Sequence, residues 1–190
     1  LFASGTEETL SRIPDLPLNA HVRLVQKNIP NKLILLWSLI RPDALDILLG
    51  EPCDAWWFPN WTIVSTKKPY ALTVHDLSFV HTPHFYSLKH RIAIACAQPQ
   101  RIAQRAAHCI AVSPHTRTDL EYTWRISPTK ISCVPLGVDL VFSLREQPSD
   151  RSYRASYDLN RPSILSLATH EPRKNILRIV EPYKEMRRGH

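Results

Sequence analysis

The chain has 190 residues, 44% hydrophobic and 22% charged, a balance that excludes a disordered chain and predicts a globular fold. Its formal net charge of +7 favours anionic partners, but no basic run is interleaved with aromatics, which argues against nucleic acid. Cys53, Cys96, Cys109 and Cys133 are scattered with no C-x-x-C pair, so zinc knuckles and redox motifs are excluded and reduced, mostly buried thiols in a cytosolic protein are expected.

Residues 1–19 are polar and proline-punctuated and predict no element. His21 to Val25 (HVRLV) reads as a short strand. Asn31 to Ile40 is apolar almost all round, and its run LILLWSLI is shorter than the about 20 residues that a bilayer span needs. Asp43 is the expected N-cap of a second helix, through Leu49, closed by Gly50-Glu51-Pro52. AWWF (Ala55 to Phe58) predicts a strand stopped by Pro59-Asn60, and YALTVH (Tyr70 to His75) predicts another. After a loop rich in His and Pro, Tyr86 to Ala107 has helical apolar spacing at Leu88, Ile92, Ala95, Ile102 and Ala106. Pro99 must break or kink that segment.

HCIAV (His108 to Val112) predicts a strand, and Ser113 caps a helix expected to run to about Tyr122. KISCV (Lys130 to Val134) is the next strand, ended by Pro135. Residues 146–162 are charged and read as an interdomain connection after a first domain of residues 1–145. SILSLA (Ser163 to Ala168) predicts the opening strand of a second domain, residues 163–190, with a helix from about Lys174. Leu1 in place of Met and the stop at Gly189-His190 lead us to expect a chain cut at both ends.

Strands alternating with helices describe an α/β fold with a parallel sheet, in which ligands gather at the carboxyl ends of the strands. That rule picks out Pro59-Asn60, His75-Asp76, Ser113-Pro114 and Thr169-His170-Glu171, expected on one rim.

DAWWFPNW (Asp54 to Trp61), LTVHDLSF (Leu72 to Phe79), RIAQRAAHCIAVSPHTRTDL (Arg101 to Leu120), KISCVPLGVD (Lys130 to Asp139) and LATHEPRKN (Leu167 to Asn175) occur in that order. Together they resemble the family 4 glycosyltransferases over roughly residues 20 to 180. The resemblance implies a GT-B fold of two Rossmann-like domains and retaining transfer of a sugar from a nucleotide-sugar donor to an acceptor hydroxyl. It implies a glycan or lipid-linked acceptor, with mannose from GDP-mannose the first choice of donor, in glycan or polysaccharide biosynthesis. No metal or other cofactor is expected. A cytoplasmic location is expected, with peripheral contact at an anionic inner membrane face.

The same resemblance places His75 beside the transferred sugar as the catalytic residue, where an imidazole donates a hydrogen bond to a hydroxyl or reacting oxygen and Asp76 orients it. It places Arg173 and Lys174 on the donor diphosphate, where two cations at a helix N-terminus meet the charge that grows as the glycosidic bond breaks. Asn60, Asp76, Ser113, Gly137 and Glu171 are candidate cleft-lining residues. Ser113 is foremost an N-cap, and Gly137 is expected to serve a turn. Ala168 stands where the family has glycine. The family's glycine-rich loop and its paired glutamates have no counterpart between Leu1 and His190, so this chain alone is expected to be inactive. Two alternatives stay open: a non-catalytic remnant of such an enzyme, and a metal-dependent hydrolase using Asp76, His81 and His84.

Overall fold

In the computed structural model, which describes residues 2–4, 8, 11, 24–50, 52–60, 65–139, 148–157, 159, 166–167, 169 and 171–188, the strands Phe2–Ser4 (β1) and Val25–Lys27 (β2) pair in parallel. Of the strand expected at His21 to Val25, Leu24 is outside regular structure and Val25 opens β2, which continues to Lys27. His21 to Arg23 lie outside the described residues.

Trp56–Phe58 (β3), Tyr70–Val74 (β4), His108–Ala111 (β5) and Ile131–Cys133 (β6) form a second, all-parallel sheet in sequence order. The register sets Phe58 beside Leu72, Val74 beside Ala111 and Ala111 beside Cys133. Side chains alternate between faces with period two. One face therefore carries Phe58, Tyr70, Leu72, Val74, Cys109, Ala111 and Ile131, all of them buried. These pack with Leu45 and Leu48, Ile102, Ala103 and Ala106, and Leu120, Trp124 and Ile126 in a single core. The opposite face is less covered, with Trp57 60% exposed on edge strand β3.

Helices Asn31–Ile40 (α1) and Ala44–Leu49 (α2) precede β3. Asp43 sits at the N-cap of α2, but its carboxylate makes no capping bond. It pairs instead with Arg41 and Lys67 at 3.2 Å each, and Ser65 Oγ accepts the Ala44 N–H. Gly50, at φ 70°, ends α2 in the left-handed conformation that glycine adopts without a Cβ penalty.

Beyond β4 come the short helix Ser78–His81 (α3) and the helices Leu88–Ala97 (α4) and Pro99–Arg105 (α5). The break expected at Pro99 is complete: Gln98 adopts φ 49°, and Pro99 starts a new helix, where its missing N–H costs nothing. Helix Pro114–Tyr122 (α6) follows β5. Of the cysteines only Cys109 is buried, its thiol pushed up to about 11 by desolvation. Cys96 is exposed and Cys53 and Cys133 are half-buried, because α4 and the strand ends carry them outside the core. All four are free thiols.

Two compact units emerge: Leu1–His81 with Leu88–Pro135, and Thr82–Ser87 with Leu136–His190. The second carries helix Pro148–Ser156 (α7) inside the charged segment that reads as a connection in the sequence. It also carries helix Leu177–Arg188 (α8), which includes Pro182. Most of the strand expected at Ser163 to Ala168, with Ala168 itself, lies outside the described residues. Ser166 and Leu167 have no regular structure, and Leu167 is exposed. Among the described residues no helix is long and apolar enough to cross a membrane.

One carboxylate fastens the amino ends of β3 and β4 to α2. Asp46 Oδ1 accepts from Trp56 Nε1 at 2.8 Å and Thr66 Oγ1 at 2.6 Å, while Oδ2 accepts from the Lys67 N–H at 3.0 Å. Burial pushes this carboxyl up, but the bonds from Thr66, the Lys67 amide and Trp56 outweigh it and hold it below the ordinary aspartate value. A depressed pKa means that Asp46 contributes stability above the unfolded value, about 3.9, and loses it as pH falls through the folded one. Asp46→Ala should therefore cost about 1–2 kcal/mol at pH 7, with the gap from wild type closing below about pH 4. Urea unfolding at the two pH values measures it, and a gap that persists in acid would show that the ionised carboxylate is not the tie.

Candidate functional site at the carboxyl rim of the sheet

The parallel pairing brings the carboxyl ends of β3, β4 and β5 to one rim, where Pro59-Asn60, His75-Asp76 and Ser113 follow the last paired residues. Three of the four loops expected there are thus placed together. The fourth, Thr169 to Glu171, follows none of these strands and belongs to the second unit.

His75 stands one residue past β4 and is half-buried. Its Nε2 lies 3.0 Å from the Pro59 carbonyl oxygen. A carbonyl only accepts, so Nε2 carries the proton and donates. The backbone of His75 is fixed as well, since Thr116 Oγ1 donates to its carbonyl at 3.0 Å. Thr116 is 3% exposed on the inner side of α6, one helical turn before Leu120.

Ser113 is the N-cap of α6, accepting the Thr116 N–H on Oγ at 3.1 Å. Its hydroxyl also lies 3.0 Å from Thr116 Oγ1. Since the Thr116 proton goes to the His75 carbonyl, the Ser113 hydroxyl donates to Thr116. Asp76 Oδ1 accepts from the Ser78 amide at 2.9 Å and from the Ser78 hydroxyl, and so starts α3. Asn60 is exposed at the end of β3.

Further along α6, the largely covered Asp119 carboxylate receives His81 at 3.0 Å and His115 at 3.7 Å. His81 is thereby committed to a carboxylate other than Asp76, and the His84 ring lies tilted against Phe85 with centroids 4.2 Å apart. Among the described residues no group of three or more His, Cys, Asp or Glu side chains is arranged to hold a metal ion.

In the second unit, Glu171 accepts from Thr169 Oγ1 at 2.8 Å and from Arg173 Nε at 2.6 Å. The Thr169 hydroxyl and the Arg173 guanidinium hold its carboxyl below the ordinary glutamate value. Arg173 and Lys174 do not open the long helix as the sequence suggests. Pro172–Lys174 is a separate 3-10 turn, and Asn175 at φ 49° separates it from α8. Proline fixes the start of the turn and asparagine tolerates the left-handed conformation that ends it. Gly137 also belongs to this unit; its φ is outside the left-handed region and a Cβ there would meet nothing within 4 Å. No turn or close approach calls for glycine at that position.

Sequence reasoning missed Thr116, the Pro59 carbonyl and Asp119. Thr116 carried a signal, as a hydroxyl three residues after an N-cap serine and four before a core leucine. The other two had none, since a backbone carbonyl has no sequence signature and Asp119 reads as helix surface.

No curated protein and no solved structure matches the chain. A family model, Glycosyltransferase Family 4, matches residues 5–142, well over half of the sequence and all of the four-stranded sheet. Arg173, Lys174 and the rest of the chain after residue 142 lie outside that match. With its α/β fold, its parallel sheet and this match, the chain belongs to glycosyltransferase family 4, whose members move a sugar from a donor to an acceptor.

Proposed function

We propose that the protein takes part in retaining transfer of a hexose, mannose first, from a nucleotide-sugar such as GDP-mannose to a hydroxyl of a glycan or lipid-linked acceptor, within a GT-B fold. The observation that carries this reading is the placement of His75: at the carboxyl end of an interior strand, half-buried, with its ring bonded to the neighbouring loop. Ligands gather there in parallel α/β sheets. A fixed imidazole aligns a sugar hydroxyl without having to be ordered when the substrate binds. His75 acts by alignment, and Asn60 and Ser113 border the same rim.

Leaving-group stabilisation falls to Arg173 and Lys174. The diphosphate gains negative charge as the glycosidic bond breaks, and nearby cations lower the barrier most when they are already in place. Arg173 is shared with Glu171, so Lys174 is the cation in excess within this segment. A location at an anionic membrane face is in keeping with the net charge of +7.

Two measurements test these roles. In a full-length enzyme containing this sequence, with GDP-mannose as donor, His75→Ala should reduce turnover by roughly 10²-fold while leaving the thermal midpoint nearly unchanged, because the side chain lies at the rim of the core. A lowered midpoint with unchanged turnover per folded molecule would mean that His75 only closes the strand. In calorimetric titrations, Lys174→Ala should weaken GDP binding about tenfold, equivalent to about 1.4 kcal/mol, and leave guanosine binding unaltered. Equal losses for the two ligands remove Lys174 from the phosphates.

A further inference from the structure

Two hydrogen bonds on His75 and a third behind them fix more than its position. The Ser113 hydroxyl donates to Thr116 Oγ1, the Thr116 hydroxyl donates to the His75 carbonyl, and His75 Nε2–H donates to the Pro59 carbonyl. Every donor in this series has one acceptor, so the proton on each atom is assigned by its neighbour. The Thr116 amide closes the other side by donating to Ser113 Oγ. The Ser113 hydroxyl polarises the Thr116 bond to the His75 carbonyl, and that bond acts on the ring by fixing the backbone from which the ring reaches Pro59. Thr116 is the hinge of this series: it is 3% exposed, its backbone is set by α6, and its hydroxyl reaches across to the end of β4.

We infer that Thr116 is a positioning residue for His75, and that His75 meets its substrate through Nδ1. With Nε2 occupied by the Pro59 carbonyl, the neutral ring has its lone pair on Nδ1, where the described residues place no hydrogen-bond partner. Nδ1 is then an acceptor for a hydroxyl proton of the sugar. No bond is made or broken, and the imidazole keeps its proton on Nε2 throughout. The substrate half of this inference rests on the reading of His75 given above, whereas the tautomer and the role of Thr116 do not.

The tautomer is directly observable. Long-range proton–nitrogen NMR of the uniformly labelled chain, with His75 assigned by the signal lost in His75→Gln, reports which ring nitrogen is protonated at a pH where the ring is neutral. Wild type should show a single form with Nε2 protonated and Nδ1 bare. Thr116→Val keeps the volume and removes the hydroxyl, and should pull the two nitrogen shifts together as both tautomers become populated. Thr116→Ser restores the hydroxyl and should return the wild-type pattern. A wild-type ring protonated on Nδ1 overturns the inference whatever the variants do, including a Thr116→Val chain that does not fold. A folded Thr116→Val chain with the wild-type pattern reduces Thr116 to a core residue. Either result leaves the activity assay of His75→Ala to decide the catalytic reading separately.

Discussion

Strand β4 is paired on both edges and apolar on its inner face, and the first unit is organised around that requirement. Leu72 and Val74 are buried to 0% and 1% exposure, and the strand cannot slip by one residue without turning both toward the less covered face. The register fixed in this way decides where the strand ends. His75 emerges at the rim because Val74 is the last residue that must face the core. The helices α2, α5 and α6 lie around the same surface, sending Leu45 and Leu48, Ile102 and Ala103, and Leu120 to one cluster.

Polar ties at the two ends of the sheet divide structural from chemical work. At the amino ends, Asp46 gathers three donors from β3 and from the approach to β4, and the ionised carboxylate is fully engaged. At the carboxyl ends the bonds to His75 itself run through neutral groups, Thr116 and two backbone carbonyls, while the neighbouring Asp76 carboxylate is taken up by the Ser78 amide and hydroxyl. A charged tie holds elements together, but placed at a rim it would compete with a polar ligand. Neutral hydroxyls and carbonyls hold the histidine in place, so the bonds that fix it bring no charge of their own.

The order of strands, the break at Pro99 and the capping by Ser113 were legible because each depends on local chemistry: apolar period, a missing N–H and a side-chain oxygen at the right offset. The resemblance to family 4 was legible because the ordered motifs mark the same strand ends. Pairing escaped the sequence. β1 has no local signature, and the continuation of β2 through Gln26 and Lys27 follows from its pairing with β1. Asp43 was misread as a cap because Arg41 and Lys67 compete for it, and Lys67 is distant in sequence. The turn before α8 was misread for a related reason. A basic pair near a helix suggests its N-terminus, but Asn175 in the left-handed conformation moves the helix start to Leu177.

That displacement changes the electrostatic argument for Arg173 and Lys174. At the first turn of a helix two cations oppose the dipole, so a bound anion explains their presence. In a separate 3-10 turn this opposition is largely removed, and the two cations no longer require an anion on that ground. What remains is the local balance: Glu171 takes the Arg173 Nε donor, and Lys174 has no such assignment. On the proposed reading, a diphosphate need not displace Glu171 to gain from the site. It meets Lys174 as a point charge, while Glu171 holds Arg173 by its Nε in a set orientation. A pre-paired arginine costs less ordering entropy when a ligand arrives than a free one, and Glu171 weakens the attraction to an anion in return. The balance between these two effects falls to Lys174, the side chain whose charge Glu171 does not offset by a direct bond.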